Sequence, residues 1–353
     1  MVGHLEWRAN MDCYVGLDAS LRKTSVCVVD ASGRVLCEGV ADSQPGAIAK
    51  FLKSRAPGAV RIGIETGPTS IWLTTELRVL GLPVICIDAR HAKAVLKMQI
   101  NKSDRNDAAG IARIMQTGWF KEVRLKGFDS HAIRALLTSR AMLVKIKRDL
   151  ENQIRGLLKI DGLLVGTARG AAFSRRALDL AKQCPELGVS VVPLLAAREG
   201  IDKQLYELDR KVSRLASAGR QTRSFMTVPG VGPVTALCFQ ATIDDPVRFS
   251  RSRSVGAYAG LTTRRYASGE VDWTGRISKC GDPMLRSYLY EAAGVLLTRV
   301  QKWSALKAWG MRLAKRIGMR KARVAVARKL AVILHRMWVD GTDFRWSAKE
   351  ATA

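Results

Sequence analysis

The first 88 residues alternate short apolar runs with polar turns, and the order of these runs restricts the fold more than any other feature of the sequence. Five runs rich in apolar or β-branched residues predict strands, at Cys13–Leu17, Ser25–Asp30, Val35–Val40, Val60–Glu65 and Val84–Asp88. Helices are predicted at Gln44–Arg55, at Ile71–Leu80 and from about residue 105 onward. The order β-β-β-α-β-α-β predicts a mixed sheet with flanking helices.

We therefore expect an α/β fold for the first part of the chain and an α fold for the rest. Three antiparallel strands followed by strands that alternate with helices are typical of an RNase H-like domain, which we expect over residues 1–125. The hydrophobic content of 47% is enough for each domain to bury a core.

Helical periodicity replaces the strand pattern after Ile133. Leucines recur every seven residues, at Leu136, Leu143, Leu150 and Leu157. A second helical stretch carries Ile201, Leu205, Leu208, Val212 and Leu215. Residues 126–221 are expected to form a coiled-coil linker, either as an antiparallel hairpin or against a partner chain in a homo-oligomer. Packing onto a neighbouring domain is the alternative.

A third, mostly helical domain is predicted over residues 222–353, where the sequence VPGVGPV from Val228 to Val234 ends the preceding helix. The chain carries 58 Lys and Arg against 31 Asp and Glu, a net charge of +27. After residue 250 there are 21 basic and 7 acidic residues. Such a charge predicts a DNA or RNA partner, because each neutralised phosphate releases counterions. The alternatives are a soluble basic protein and a protein that binds membrane surfaces.

The side chains available as metal ligands are mostly carboxylates. The seven cysteines are scattered without a C-x-x-C motif and the four histidines lie far apart, which argues against disulfides and a zinc site. No apolar run approaches the ~18 residues of a membrane span, and no signal segment precedes the first strand. We therefore expect a cytoplasmic protein in which any metal has oxygen ligands.

Four acidic residues stand at positions that suggest such a site. Asp18 follows the run that ends at Leu17, and Glu65 closes the fourth run. Asp104 and Asp107 are three residues apart, on one face of a predicted helix. Four carboxylates brought together repel one another unless a cation binds them. Mg²⁺ or Mn²⁺ would satisfy them, and two such ions about 3.5–4 Å apart catalyse phosphoryl transfer.

Each of these residues also has a structural explanation. Asp18 can begin a turn, Glu65 can cap the next helix, and Asp104 can be an N-cap with Asp107 in the first helical turn. Whether they share a site depends on whether the fold brings them together.

A serine in the basic C-terminal segment is a candidate nucleophile. Ser268 lies in a predicted turn among cations that can stabilise charge at a phosphate, namely Arg264, Arg265, Arg276 and Lys279. A hydroxyl that bonds its own turn is the alternative, and Ser254 and Ser278 compete for the role.

Two further features predict contact with nucleic acid. Gly230 and Gly232 precede a predicted helix, where backbone N–H groups can approach a phosphate, although an ordinary helix-start turn has the same sequence. The basic helices near the C-terminus are expected to follow a nucleic-acid backbone through Arg320, Lys321 and Arg323, although a solvated charged face has the same composition.

In combination, these motifs resemble the DEDD-type insertion-sequence transposases related to the Piv and MooV invertases, a family that includes bridge-RNA-guided recombinases. The resemblance covers nearly the whole chain, through VGLDAS, IGIETG, NKSDRNDA, GVGPVTA, AYAGLT, ASGE and ISKCGDPMLR. It implies a RuvC-like catalytic domain, a coiled-coil linker and a C-terminal transposase domain. It also implies a metal-binding catalytic tetrad and a serine nucleophile, at Asp18, Glu65, Asp104, Asp107 and Ser268.

The activity that the resemblance implies is DNA transposition through a covalent phosphoserine intermediate, with donor and target DNA as substrates and a structured noncoding RNA as guide. We expect a composite site, because the tetrad and Ser268 lie in different domains, and a dimer or tetramer. Two alternatives remain: a RuvC-like nuclease or junction resolvase that uses water, and a non-catalytic nucleic-acid-binding protein.

Overall fold

A computed structural model describes residues 11–97 and 103–346, and the chain divides into two compact units, Met1–Leu125 and Lys126–Ala353. Among the described residues, no helix combines the length and the apolar character that crossing a membrane requires.

The first unit contains a five-stranded mixed sheet. Its strands are β1 (Cys13–Ala19), β2 (Lys23–Asp30), β3 (Val35–Asp42), β4 (Ala59–Glu65) and β5 (Val84–Ile87). The order across the sheet is β3-β2-β1-β4-β5. β1 and β3 pair antiparallel with β2, whereas β4 pairs parallel with both β1 and β5. The predicted mixed α/β architecture is confirmed.

The described residues of this unit, 11–97 and 103–125, form four helices: α1 (Pro45–Arg55), α2 (Ser70–Val79), α3 (Ala89–Leu96) and α4 (Asp104–Thr117). One face of the sheet packs with α1 and α2 in a core that includes Leu17, Ile64, Leu52 and Leu73. The opposite face is covered by α4. Because side chains alternate along a strand, residues next to Leu17 and Ile64 face α4.

The second unit is mainly helical. The α-helices of its described residues are α5 (Phe128–Ile160), α6 (Gly170–Ala181), α7 (Pro185–Ala218), α8 (Arg220–Met226), α9 (Pro233–Ile243), α10 (Arg253–Tyr258), α11 (Pro283–Thr298), α12 (Ala305–Ile317) and α13 (Met319–Asp340). A 3₁₀ turn lies at Pro246–Arg248, and β6 (Thr263–Ser268) and β7 (Val271–Ile277) form an antiparallel hairpin. Its main core joins residues of the long helices, such as Leu137 and Val212, to the C-terminal helices.

The long helices α5 and α7 pair antiparallel, as the hairpin alternative requires. Ion pairs join Arg140 to Asp209 at 2.5 Å and Lys147 to Asp202 at 2.5 Å. Residue numbers therefore increase along α5 in the direction in which they decrease along α7. These pairs are seven residues apart in both helices, the spacing of a coiled coil.

A buried arginine fixes α6 to this pair of helices. Arg198 in α7 is only 2% exposed and donates to the Glu151 carboxylate of α5 at 2.8 Å. It also donates to the Ser174 hydroxyl at 3.0 Å and to the Gly170 carbonyl at 3.2 Å, both in α6, and it lies over the Phe173 ring. One guanidinium therefore connects three helices.

We expect Arg198→Ala to lower the free energy of unfolding by about 2–3 kcal/mol, because it breaks the ion pairs of Arg198 with Glu151 and Asp202, although Asp202 keeps its pair with Lys147. The loss is below the ~3–5 kcal/mol of a fully buried pair, because both carboxylates keep contact with water. Hydrogen exchange over Gly170–Ala181 measures it. Arg210→Ala, which removes an exposed ion pair with Glu207, is the control and should change exchange little.

Candidate active site

The ends of two neighbouring parallel strands carry Asp18 and Glu65. Gly16 is paired with Gly63, and Leu17 with Ile64, so the next step of this register aligns Asp18 with Glu65. Both acidic residues lie on the face that α4 covers, because Leu17 and Ile64 are buried on the other face. Adjacent strands are about 4.8 Å apart, so the two carboxylates belong to one small region of the sheet.

Two glycines allow α4 to lie close to this face. A Cβ at Gly16 would clash with the backbone of Ala108 and Ala112 in α4. A Cβ at Gly63 would lie 2.7 Å from Cγ of Met115 and 2.8 Å from Cγ2 of Ile111. Each glycine stands two residues before the acidic residue of its strand, so the glycines and the carboxylates share one face.

The direction of α4 brings its first turn to the same end of the sheet. Near the other end of the helix, the Gln116 carbonyl accepts from Arg61, close to the start of β4, and the Gln116 amide donates to the Ala31 carbonyl. The N-terminus of α4 therefore lies toward the ends of β1 and β4. Asp104 and Asp107 precede the buried Ala108 and Ile111 by one turn each, so they continue the stripe that faces the sheet.

Other residues occupy the capping positions that the structural explanations assign to Glu65 and Asp104. The side chain of Ser103, not Asp104, caps α4 by accepting from the Asn106 N–H. The N-cap position before α2 is Thr69, four residues after Glu65. Asp18 lies within β1, paired with Ser25, and the Ser20 hydroxyl bonds across the following turn. In the first turn of α4, Asp104 and Asp107 also suit the helix dipole.

The side chains of the four acidic residues are not arranged as a set of metal ligands. Across residues 11–97 and 103–346, no three His, Cys, Asp or Glu side chains lie close enough to hold an ion. The donor set still fits a hard divalent cation, because all four groups offer carboxylate oxygens and lie at one end of one face. Binding would require side-chain rotation, so the fit rests on backbone placement and donor chemistry.

Asp88 is another carboxylate at the end of a strand of this sheet, and a nearby arginine holds it. It follows β5 directly, and Arg90 donates to both of its oxygens, at 3.2 and 2.8 Å. Hydrogen bonds from Arg90 lower the pKa of Asp88 to about 2. It is therefore a matched control for the four candidates.

Ser268 lies at the tip of the β6–β7 hairpin, and every residue of β6 is exposed. The two-residue loop has a positive φ at Gly269 and not at Glu270, as in a type II′ turn. The structure shows no hydrogen bond from the Ser268 hydroxyl to another described residue, so the alternative of a hydroxyl that bonds its own turn lacks support.

The competing serines differ from Ser268 in their surroundings. The Ser278 hydroxyl accepts from the Cys280 N–H at 3.3 Å, which is a local turn contact. Ser254 is exposed in the first turn of α10, away from the hairpin strands.

The predicted cations around Ser268 have different surroundings. Arg265 pairs with Asp272, at 2.5 Å between Nη2 and Oδ2, which lowers the pKa of the Asp272 carboxyl. Arg264 donates to the Ser278 carbonyl at 3.2 Å. Arg276 and Lys279 are exposed. The hairpin therefore presents positive charge near the candidate nucleophile.

The remaining predicted contacts divide between packing and surface positions. A Cβ at Gly230, whose φ is +90°, would clash with the Ala292 carbonyl of α11, so this glycine serves close packing. A Cβ at Gly232 would have open space around it, and this glycine is the N-cap residue just before α9. Arg320 and Lys321 are exposed on α13, whereas Arg323 packs against Gly294 and over the Tyr290 ring. Phosphate contact at these positions stays a prediction.

The sequence reasoning missed Gly16 and Gly63 as residues that build the site. The signal was present, because GLD and GIE both place a glycine two residues before an acidic residue at a strand end. It also missed Tyr266 and Trp273, which the hairpin register brings side by side.

Comparison with known proteins identifies the family. Residues 222–309 match the transposase family IS116/IS110/IS902, and residues 15–160 match the DEDD transposase family of IS110. A transposase for insertion sequence element IS1111A of Coxiella burnetii is 31% identical over 287 residues, covering 80% of this chain and 78% of that protein.

Two other relatives agree with this assignment. A probable family 20 transposase of Pseudomonas aeruginosa is 27% identical over 338 residues, which cover 94% of this chain and 98% of that protein. A transposase for insertion sequence element IS1328 of Yersinia enterocolitica is 26% identical, with coverage of 84% and 88%. The chain belongs to the IS116/IS110/IS902 family of insertion-sequence transposases.

Proposed function

We propose that the chain catalyses metal-dependent DNA cleavage and strand exchange through a covalent phosphoserine intermediate. The observation that supports the proposal is that Asp18 and Glu65 lie at the ends of adjacent strands on the face that α4 covers, while Asp104 and Asp107 lie in the first turn of α4. The strand order β3-β2-β1-β4-β5 supports an RNase H-like fold for this unit. We also propose three domains, which span residues 1–125, 126–221 and 222–353.

The four carboxylates would hold Mg²⁺ or Mn²⁺. When bound, such an ion polarises a phosphoryl oxygen and stabilises the charge that develops during phosphoryl transfer. Asp18 and Glu65 come from adjacent strands, and α4 supplies the other two ligands, so its packing against Gly16 and Gly63 determines how far apart the two pairs lie.

Ser268 is the proposed nucleophile. Its Oγ forms a bond to phosphorus as one P–O bond of the DNA backbone breaks; the hydroxyl loses a proton and the departing sugar oxygen gains one. Because one phosphoester replaces another, the strands can be rejoined without ATP. The cations Arg264 and Arg276 on the same hairpin would stabilise the negative charge at phosphorus.

We also propose a homo-oligomer and an RNA guide. In the α5–α7 pair, the heptad residues Leu143, Ile146 and Leu150 remain partly exposed, and Tyr206 is 64% exposed, so this pair presents apolar surface that a second copy can cover. The net charge of +27 supports binding of polyphosphates, a structured RNA as well as DNA.

The test is detection of a protein-linked DNA strand. With element-end DNA, transcribed flanking RNA and Mg²⁺, the wild-type protein should yield a labelled strand that migrates with protein on a denaturing gel. EDTA should abolish it, and Ser268→Ala should give no adduct and no cleavage. Ser278→Ala is the matched control and should retain the adduct, because its hydroxyl serves a turn.

Other results would favour the alternatives. Normal cleavage by Ser268→Ala would assign the reaction to a nuclease that uses water. DNA binding without any Mg²⁺-dependent cleavage would leave only the binding protein. If mixing Ser268→Ala with Asp18→Asn restores cleavage, one subunit supplies the carboxylates and another supplies Ser268 to the same composite site. No recovery would count against such sharing between chains.

A further inference from the structure

An exposed aromatic pair lies on the β6–β7 hairpin. The rings of Tyr266 and Trp273 are stacked, with centroids 6.1 Å apart and planes inclined by 23°. The two side chains are 53% and 54% exposed, so each ring leaves much of its surface in contact with water. Exposure of two large adjacent aromatics indicates a binding surface.

The pair shares a face of the hairpin with Ser268. Tyr266 is opposite Trp273 and Ser268 is opposite Val271, and residues two apart on a strand point to the same side. Gly275 follows on this face, and a Cβ there would lie 2.6 Å from the Trp273 ring. The glycine therefore leaves room for the indole to lie against the strand.

Charge around the pair favours nucleic acid. Arg264 lies two residues before Tyr266 and donates to the Ser278 carbonyl, whereas Arg265 is on the face opposite Tyr266 and is paired with Asp272. Arg276 is exposed further along β7. A flat aromatic surface beside cations is the combination that binds single-stranded nucleic acid, because bases stack on the rings while phosphates contact the cations.

We propose that Tyr266 and Trp273 form a stacking platform for an unpaired base next to the phosphate that Ser268 attacks. The inference rests on the proposed function for the position of that phosphate. A stacked base would restrict the adjoining backbone and hold its phosphate beside the serine hydroxyl. The two residues are positioning residues, because they act on the base and not on phosphorus.

The rings also stabilise the hairpin, and the test must separate that role. The probes are a twelve-nucleotide oligothymidine and an abasic strand of equal length and charge, compared at about 0.3 M salt to weaken contacts made by phosphate alone. Wild-type protein should bind the oligothymidine about tenfold more tightly. The valine variants Trp273→Val and Tyr266→Val keep a β-forming residue, and each should lower this ratio at least threefold.

Two controls accompany the variants. Trp273→Phe retains a ring and should keep the ratio, and Trp303→Val removes a tryptophan that is 61% exposed elsewhere in the unit and should leave it unchanged. A ratio that changes less than threefold in both hairpin valine variants overturns the proposal.

A second measurement needs no variant. A strand that contains 5-iododeoxyuridine, irradiated on the wild-type protein, should crosslink to the peptide that contains Tyr266 or Trp273; crosslinks confined to other peptides contradict the platform. Neither probe has to be cut, so failure here leaves the phosphoserine step standing.

Discussion

An Asp107→Asn variant is expected to cleave element-end DNA about a thousandfold more slowly than wild type in saturating Mg²⁺. The change keeps the size of the side chain and its place in the first turn of α4, but it removes the negative charge that a divalent cation requires. Loss of several kcal/mol of transition-state stabilisation corresponds to a rate effect of this size. Cleavage is measured in a single turnover, so that product release does not limit the rate.

A structural role for Asp107 predicts a different pattern. If the residue only complements the helix dipole, Asn should cost less than about 1 kcal/mol of stability and leave cleavage almost intact. Titration calorimetry with Mn²⁺ provides a readout apart from activity, because weaker binding in the variant identifies the carboxylate as a ligand. Unchanged Mn²⁺ affinity together with normal cleavage would remove Asp107 from the site.

Asp88→Asn is the matched control. Asp88 also ends a strand of the same sheet, but Arg90 holds its carboxylate. Cleavage and Mn²⁺ affinity should stay within about twofold of wild type, because the proposed site does not use this group. The variant should lose some stability at any pH above the unfolded pKa of Asp88. The folded-state pKa of Asp88 is lowered to about 2, so the difference from wild type should disappear as pH falls toward 2.

The sheet could be predicted from the sequence, because each strand is a short apolar run bounded by turn residues. The five predicted strands correspond to β1–β5, although β1 extends through Asp18 to Ala19 because β2 pairs with it that far. At the hairpin β6–β7 the sequence predicts only a turn around Ser268. Both strands are largely exposed, and β6 (TRRYAS) lacks the alternating apolar pattern by which a strand is recognised, although β7 (VDWTGRI) has it.

The site was predictable in its residue types but not in its geometry. A strand-end Asp, a strand-end Glu and a D-x-x-D helix can be read from the sequence, whereas the direction of α4 follows from contacts of Gln116 with residues far away in the chain. Likewise, the ion pair between Asp88 and Arg90 is seen only in the folded chain.

Gly16→Ala is expected to destabilise the first unit by about 3 kcal/mol or more. The added methyl group would meet the backbone of α4 at Ala108 and Ala112, and a backbone cannot move aside by changing a rotamer. As α4 is pushed from the sheet, Asp104 and Asp107 move away from Asp18, so cleavage should be lost as well. Faster hydrogen exchange in β1 and α4 measures the effect.

Gly46→Ala, at an exposed position of α1 with open space around it, should leave exchange and cleavage unchanged. Wild-type exchange and cleavage in Gly16→Ala would show that close packing of α4 on β1 does not position the carboxylates.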